Sequence, residues 1–312
     1  MRRAAKVVCV LAAGLALAGC VTKGGGLHSQ IVSELEDAVR NDPKEQIRKA
    51  DAAAASLGYS RFEVKAGRFL LVVRMQDAPH RLAKEPEIVF SGDNVIGYVE
   101  DSVGSRHMIS PAQSNSDTPA SFMDRAVAHR DLVFIERPCF AVTVEQDANC
   151  SDDYWWGRGR YSEPVVAALS SAVDWVKEKR KARAVRLLGG SSGGALAMLV
   201  AARRTDVISI ATLSAVFDFN LMGRFQSSQY RTELSIFVGD SPQLMAQKLK
   251  NIQQIHIFGT RDELIPQENW TAFHQAIGDR CSRFIAVEMG HADAVAEARW
   301  RQGIYPPPDP CR

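Results

Sequence analysis

Beyond residue 58 the chain alternates short apolar runs with segments whose apolar residues recur at helical spacing. Phe62–Ala66 and Phe69–Met75 flank Gly67-Arg68, the pattern of a β-hairpin. Glu87–Ser91, Leu132–Arg137, Ala184–Leu188, Val207–Leu213, Gln254–Phe258 and Arg283–Glu288 read as further strands. Between them, Pro164–Lys179 carries Val165, Leu169, Val173 and Val176 on one helical face, and Ser192–Arg203 and Glu268–Ile277 have helical spacing as well. Thr118-Pro119, with Thr at N-cap and Pro at the first helical position, opens a helix to Ala128. Ahead of all these, Pro43–Leu57 places Ile47, Ala50, Ala54 and Leu57 near helical spacing and stops at Gly58. Strands alternating with helices predict an α/β fold, its mostly parallel sheet covered by helices on both faces and its N-terminal hairpin forming an antiparallel edge.

The first twenty residues have a different pattern. Arg2, Arg3 and Lys6 precede an apolar run from Val7 to Leu17, too short to span a bilayer, for which a helix needs about 20 residues. The run ends in Leu17-Ala18-Gly19-Cys20, which resembles the lipobox of bacterial lipoproteins, where cleavage before the cysteine leaves it as the lipidated N-terminus. The expected organisation is a signal peptide over 1–19, a lipidated Cys20 with a tether over 20–42, and one folded domain over 43–312. The tether is polar and Gly-rich near its start. Val21 rather than Asp after the cysteine favours the outer membrane of a bacterial envelope, on its periplasmic side. The membrane is thus an expected partner, reached through the lipid.

Processing also changes the charge. The 38 basic residues less the three in the leader leave 35 against 36 acidic ones, a net of −1. A nearly neutral surface has no general attraction for a polyanion, so nucleic acid is not an expected partner. With 46% hydrophobic residues in 312, disordered, collagen-like and disulfide-scaffold chains are excluded. Four cysteines remain after Cys9 and Cys20: Cys139, Cys150, Cys281 and Cys311. An even number in an oxidising compartment suggests two disulfides, and Cys139–Cys150 with Cys281–Cys311 is the favoured pairing of the three available. None of the four lies in a CxxC pair or close to a histidine, which argues against a metal.

The stretch AVRLLGGSSGGALAMLVA, residues 184–201, carries the chemistry. An apolar strand runs into Gly189-Gly190-Ser191-Ser192-Gly193 and then directly into a helix, the strand–turn–helix context that G-x-S-x-G requires. The framing glycines keep side chains out of a turn that brings strand and helix close together. A phosphate-binding loop would need G-x-x-x-x-G-K-[ST], which is absent. Downstream, QIHIFGTRDELIP places Asp262 just past one strand, and RFIAVEMGHA places His291 just past the next. A serine nucleophile needs a base to accept its proton and an acid to orient that base, and Ser…Asp…His is the chain order of an α/β-hydrolase. Asp218, past the preceding strand, is a rival acid.

The pattern fits twice, since Gly190 and Gly194 frame Ser192 as well as Gly189 and Gly193 frame Ser191. Ser191 is preferred because the apolar strand ends at Leu188, and because Ala195, Met198 and Ala202 stack with Ser191 while Leu196, Leu199 and Arg203 stack with Ser192.

Over about residues 60–300 the chain resembles bacterial lipoproteins of the α/β-hydrolase superfamily. The resemblance rests on Ile88-Val89-Phe90-Ser91-Gly92-Asp93, on Arg137-Pro138-Cys139, and on Cys150 followed by Tyr154-Trp155-Trp156. It implies Ser191 as nucleophile, Asp262 as acid and His291 as base, with oxyanion donors from the Ser192 N–H and from the Gly92–Asp93 turn. The His-Gly-Gly pattern of many esterases is absent there, which leaves Asp93 or Asn94 as the donor. The expected activity is hydrolysis of a small-molecule or lipid ester without a cofactor; a peptidase or amidase on the same fold and a non-catalytic binding lipoprotein are the alternatives. Tyr154, Trp155, Trp156 and Tyr161 either line a pocket or form a satellite core. Residues 218–253 exceed what a crossover needs and are expected to insert a small cap.

Overall fold

A computed structural model describes residues 43–56, 58–76, 85–92, 97–100, 106–109, 132–142, 145–155, 158–230 and 237–291. The chain divides into two units, one of 1–57 with 94–124 and one of 58–93 with 125–312. In the first unit, α1 (Pro43–Ser56) is the helix expected there, and β4 (Gly97–Glu100) pairs antiparallel with β5 (Arg106–Ile109), a hairpin the hydrophobic pattern does not predict. The helix expected over Thr118–Ala128 lies outside the described residues.

The second unit is built on an eight-stranded sheet. Its strands are β1 (Tyr59–Ala66), β2 (Phe69–Gln76), β3 (Glu87–Phe90), β6 (Leu132–Ile135), β7 (Val185–Gly190), β8 (Val207–Leu213), β9 (Gln253–Gly259) and β10 (Ser282–Val287), in the order β1-β2-β6-β3-β7-β8-β9-β10. The hairpin pairs are antiparallel, β1 with β2 and β2 with β6, and all later neighbours are parallel. β6 stops at Ile135, two residues short of expectation, because Glu136 and Arg137 turn toward other partners. Glu136 forms a buried ion pair with Arg74 at 2.6 Å, and the Arg137 N–H donates to Ser91 Oγ at 3.3 Å.

The helices of this unit follow in chain order: the short α2 (Asp152–Trp155), α3 (Glu163–Arg180), α4 (Ser192–Ala201), α5 (Phe219–Tyr230), the short α6 (Ala246–Leu249) and α7 (Gln267–Ile277). α3 presents the predicted stripe, Val165, Leu169, Val173 and Val176, all fully buried. It ends at Lys181 in a left-handed cap whose N–H reaches back to the last turn. α4 lies against β7, β8 and β3 and is buried on every side. Leu213, Ile255, Ile257 and Val287 face away from this main core and are buried too, so both faces of the sheet are apolar.

The disulfide Cys139–Cys150, with Cα atoms 5.1 Å apart, closes a loop that docks on the β1–β2 hairpin. The Leu70 N–H donates to the Asp147 carboxylate at 2.7 Å, and the Asn149 amide donates to the Arg68 carbonyl at 2.7 Å. Cys281 is also disulfide-bonded. Its partner lies outside the described residues.

Candidate active site

β7 continues two residues past Leu188, through Gly189 and Gly190, pairing with Thr212 and Leu213 of β8. The strand-end argument for Ser191 therefore fails, because Gly189 is a strand residue whose missing side chain serves the returning helix: a Cβ there would lie 2.3 Å from the Gly193 carbonyl. Gly193 faces the same constraint from β3, where a Cβ would lie 2.3 Å from the Phe90 oxygen. The helix-face argument fails too. Leu196 and Leu199, on the face assigned to Ser192, are as buried as Ala195 and Met198, and Arg203 lies beyond the helix end.

The backbone separates the two serines instead. Ser191 sits at φ 51°, ψ −124°, a left-handed conformation that costs a non-glycine residue about 1–3 kcal/mol and persists only where the surroundings enforce it. Here they do. The Ser191 N–H donates to the Leu213 carbonyl at 2.8 Å, while the Ser191 carbonyl accepts from Gly194 and Ala195 in the first turn of α4. Ser191 is partly exposed, whereas the Ser192 side chain is fully buried, with no hydrogen-bond partner for its hydroxyl among the described residues. Ser192 opens the helix, so its N–H has no intrahelical acceptor. Gly92 lies alongside, since a Cβ there would be 3.0 Å from the Gly190 oxygen and 3.8 Å from Ser191 Cβ. Asp93 and Asn94 lie outside the described residues.

Two strands along the same sheet edge, Asp262 follows β9 and His291 follows β10. The His291 ring presents Nδ1 to the Asp262 carboxylate, at 2.8 Å from Oδ2 and 3.1 Å from Oδ1. Asp262 Oδ1 also accepts from the N–H groups of Leu264 (3.0 Å) and Ile265 (2.9 Å), and the side chain is only 2% exposed. Burial by itself would raise its pKa. The hydrogen bond and charge of His291, together with the two backbone N–H groups, outweigh burial and hold the carboxyl below its usual range. Since Nδ1 carries the proton shared with Asp262, Nε2 is the ring nitrogen left to accept another. The rival acid, Asp218, is engaged elsewhere: its Oδ1 caps α5 through Asn220 N–H (2.9 Å) and Leu221 N–H (3.0 Å).

Sequence reasoning passed over Asn269, Glu263 and Ser214. Asn269 is fully buried in α7, accepts from Phe217 N–H at 2.6 Å and donates to the Asp218 carbonyl at 2.9 Å, so it anchors the root of α5. A lone Asn in an amphipathic helix carries no signal of that. Ser214 follows β8 with φ 43°, a second left-handed serine one strand from Ser191. Glu263 reaches the backbone of His291, accepting its N–H at 3.4 Å. The aromatic group divides. Tyr161 stacks on Phe219 with centroids 4.3 Å apart, in the core, and Tyr154 packs edge-on against Phe69 of the hairpin. Trp156 and the side chain of Trp155 lie outside the described residues. The proposed cap region contains α5, a 3-10 turn (Pro242–Met245) and α6, and its Phe219, Met222 and Phe237 join the main core. Among the described residues no group of three His, Cys, Asp or Glu is placed to hold a metal ion, and no helix is long and apolar enough to cross a membrane.

No known protein-family profile matches the chain, and no curated protein matches it by sequence. Solved structures do match in fold. An esterase from Pyrococcus furiosus superposes with a TM-score of 0.57 at 12% identity, over 80% of this chain and 90% of that one. The esterase domain of a Rhodothermus marinus protein gives 0.50 at 12% identity, over 78% and 92%. An acylaminoacyl peptidase from Pyrococcus horikoshii gives 0.52 at 12% identity over 78% of this chain, which spans only 39% of that larger protein. Identities this low speak to fold alone. Together with the strand order and the β7–turn–α4 geometry, they define an α/β-hydrolase fold.

Proposed function

We propose that this protein is a serine hydrolase of the bacterial envelope, anchored through Cys20, that cleaves an ester through an acyl-enzyme. The observation that carries the reading is the strained, partly exposed Ser191 on the same sheet edge as a buried, hydrogen-bonded Asp262–His291 pair. In this reading His291 Nε2 takes the Ser191 proton as Oγ attacks the ester carbonyl. Asp262 fixes the tautomer and stabilises the imidazolium. The N–H of Ser192 and one from the Gly92–Asp93 turn donate to the oxyanion, a type of interaction worth about 2.7–4 kcal/mol per donor. His291 then returns the proton to the departing alkoxide, and water enters by the same route to release the acid. No step calls for a metal or cofactor.

The test is reaction with a fluorophosphonate followed by peptide mapping. Adduct mass is expected on Ser191, with no labelling of S191A and retained labelling of S192A, whose backbone N–H is unchanged. An adduct on Ser192 would move the nucleophile, and no adduct would favour a non-catalytic binding lipoprotein. An amide substrate is the second reading, since the acylaminoacyl peptidase shares the fold; turnover of matched ester and anilide substrates separates the two. Anchoring is tested by fatty-acid labelling of the envelope fraction, which C20A should abolish.

A further inference from the structure

We infer that Glu263 is a positioning residue that holds the main chain of His291, so that two consecutive carboxylates grip one histidine at two different places. The inference rests on the triad reading above and deepens it.

The register of β10 on β9 ends at Val287 opposite Gly259, so residues 288–291 have no strand ladder to hold them. What holds them is the turn after β9, almost residue by residue. The Thr260 N–H donates to the Val287 carbonyl at 2.8 Å, the Arg261 N–H to the Met289 carbonyl at 3.1 Å, and the Arg261 guanidinium to the Glu288 carbonyl at 2.8 Å. Gly259 allows this approach, since a Cβ there would lie 2.3 Å from the Met289 oxygen. The latch reaches His291 itself through both carboxylates. Asp262 takes the ring, and Glu263 Oε2 accepts the His291 backbone N–H at 3.4 Å. A Cβ on Gly290 would lie 3.3 Å from that same oxygen, so the small residue before the histidine leaves room for the carboxylate.

The two contacts control different freedoms. A hydrogen bond to Nδ1 sets how the imidazole turns about its side-chain bonds but leaves open where its Cα stands. The backbone contact sets the Cα, and with it the distance Nε2 must cover to the serine. Small misplacements of a catalytic group have large kinetic costs, about 10²-fold for 1 Å. Glu263 is exposed and touches neither the serine nor the imidazole ring in this arrangement, so its contribution acts through His291.

The experiment compares wild type, E263A, E263Q and the surface-charge control E268A in the full-length protein. Each is measured for p-nitrophenyl butyrate hydrolysis per fluorophosphonate-titrated site and for thermal midpoint. E263A is expected to lose roughly tenfold in kcat with KM within about twofold and the midpoint unchanged. E263Q keeps a carbonyl oxygen for the N–H and is expected to recover most of kcat, and E268A to match wild type. E263A at wild-type kcat overturns the inference. So does E263Q as slow as E263A, which would make the effect one of charge, or a kcat loss that merely tracks a lowered midpoint, which would make it one of folding. Failure of the triad reading is distinct: wild type itself would then show no adduct on Ser191.

Discussion

His256 offers a test of how the core handles a titratable group. Its imidazole lies in β9, 1% exposed, with the rings of Phe217, Phe273 and Phe284 at centroid distances of 5.3, 5.5 and 4.7 Å. The Gln254 amide nitrogen donates to the Leu249 and Ile252 carbonyls at 2.8 and 3.1 Å, which turns its carbonyl oxygen toward His256 Nε2 at 3.2 Å. Nε2 must then donate, and Nδ1 accepts from the Thr212 hydroxyl at 2.8 Å. The neutral ring is fully satisfied, and a second proton on Nδ1 would require the Thr212 hydroxyl to turn from donating to accepting. Burial, helped by the charge of His274, pulls the pKa from 6.5 to about 3. The unfolded chain therefore binds a proton between these values that the native state refuses. Stability is whole above pH 6.5 and falls as pH drops through 6.5, by about 1.4 kcal/mol per unit, which is about 2 kcal/mol by pH 5. The perturbation is H256F, which keeps a ring but cannot titrate. It lowers the baseline because Thr212 and Gln254 lose a partner, at about 1–3 kcal/mol for each group. Urea unfolding followed by tryptophan fluorescence in half-unit steps from pH 7.5 to 5 should give a variant profile that parallels wild type above pH 7 and is flatter by about 1.4 kcal/mol per unit below pH 6.5. Parallel profiles would refute the argument, since the histidine would then not be a neutral group with a depressed pKa.

Three further outcomes follow from the geometry. D262N should lower ester turnover by about 10³–10⁴-fold through the wrong imidazole tautomer, while D218N, which still caps α5, should stay within a few-fold; steady-state kinetics showing the reverse would move the acid. G193A forces a Cβ to within 2.3 Å of the Phe90 oxygen and should cost about 1–3 kcal/mol in urea unfolding, with slower fluorophosphonate labelling because β3 and the Ser191 turn must part. C139S with C150S opens a loop of sequence separation 11 and should lower stability by about 2.5–3 kcal/mol by loop-closure entropy; an unchanged midpoint would mean that the bond hardly restricts the unfolded chain.

The main sheet was legible because its apolar runs had a period, while the β4–β5 hairpin had none to announce it. Gly67-Arg68 marked the hairpin, and Val165, Leu169, Val173 and Val176 marked the long helix. The candidate site was legible in chain order, since Ser191, Asp262 and His291 each follow a strand. What distinguishes the two serines in the structure, backbone conformation and burial, is nothing the sequence contains. A helix apolar all round gives no face to read, and a strand can run through glycines when both neighbours pair with it. The contacts of Glu263, Asn269 and the Arg74–Glu136 pair arise between segments far apart in the chain, and no local period announces them.

The burial of α4 on every side also determines how the protein can open. A surface helix can fray or open by itself, exchanging its amides while the rest stays folded. α4 has no solvent side on which to do so, and the turn that strains Ser191 is bonded to β8 and seated against β3. Amide exchange in that turn should therefore proceed only by global unfolding. The histidine stands on side-chain contacts beyond the last rung of a ladder. On the proposed triad, gentle heat should free His291 first, with the Ser191 turn still locked and ready to recover on cooling.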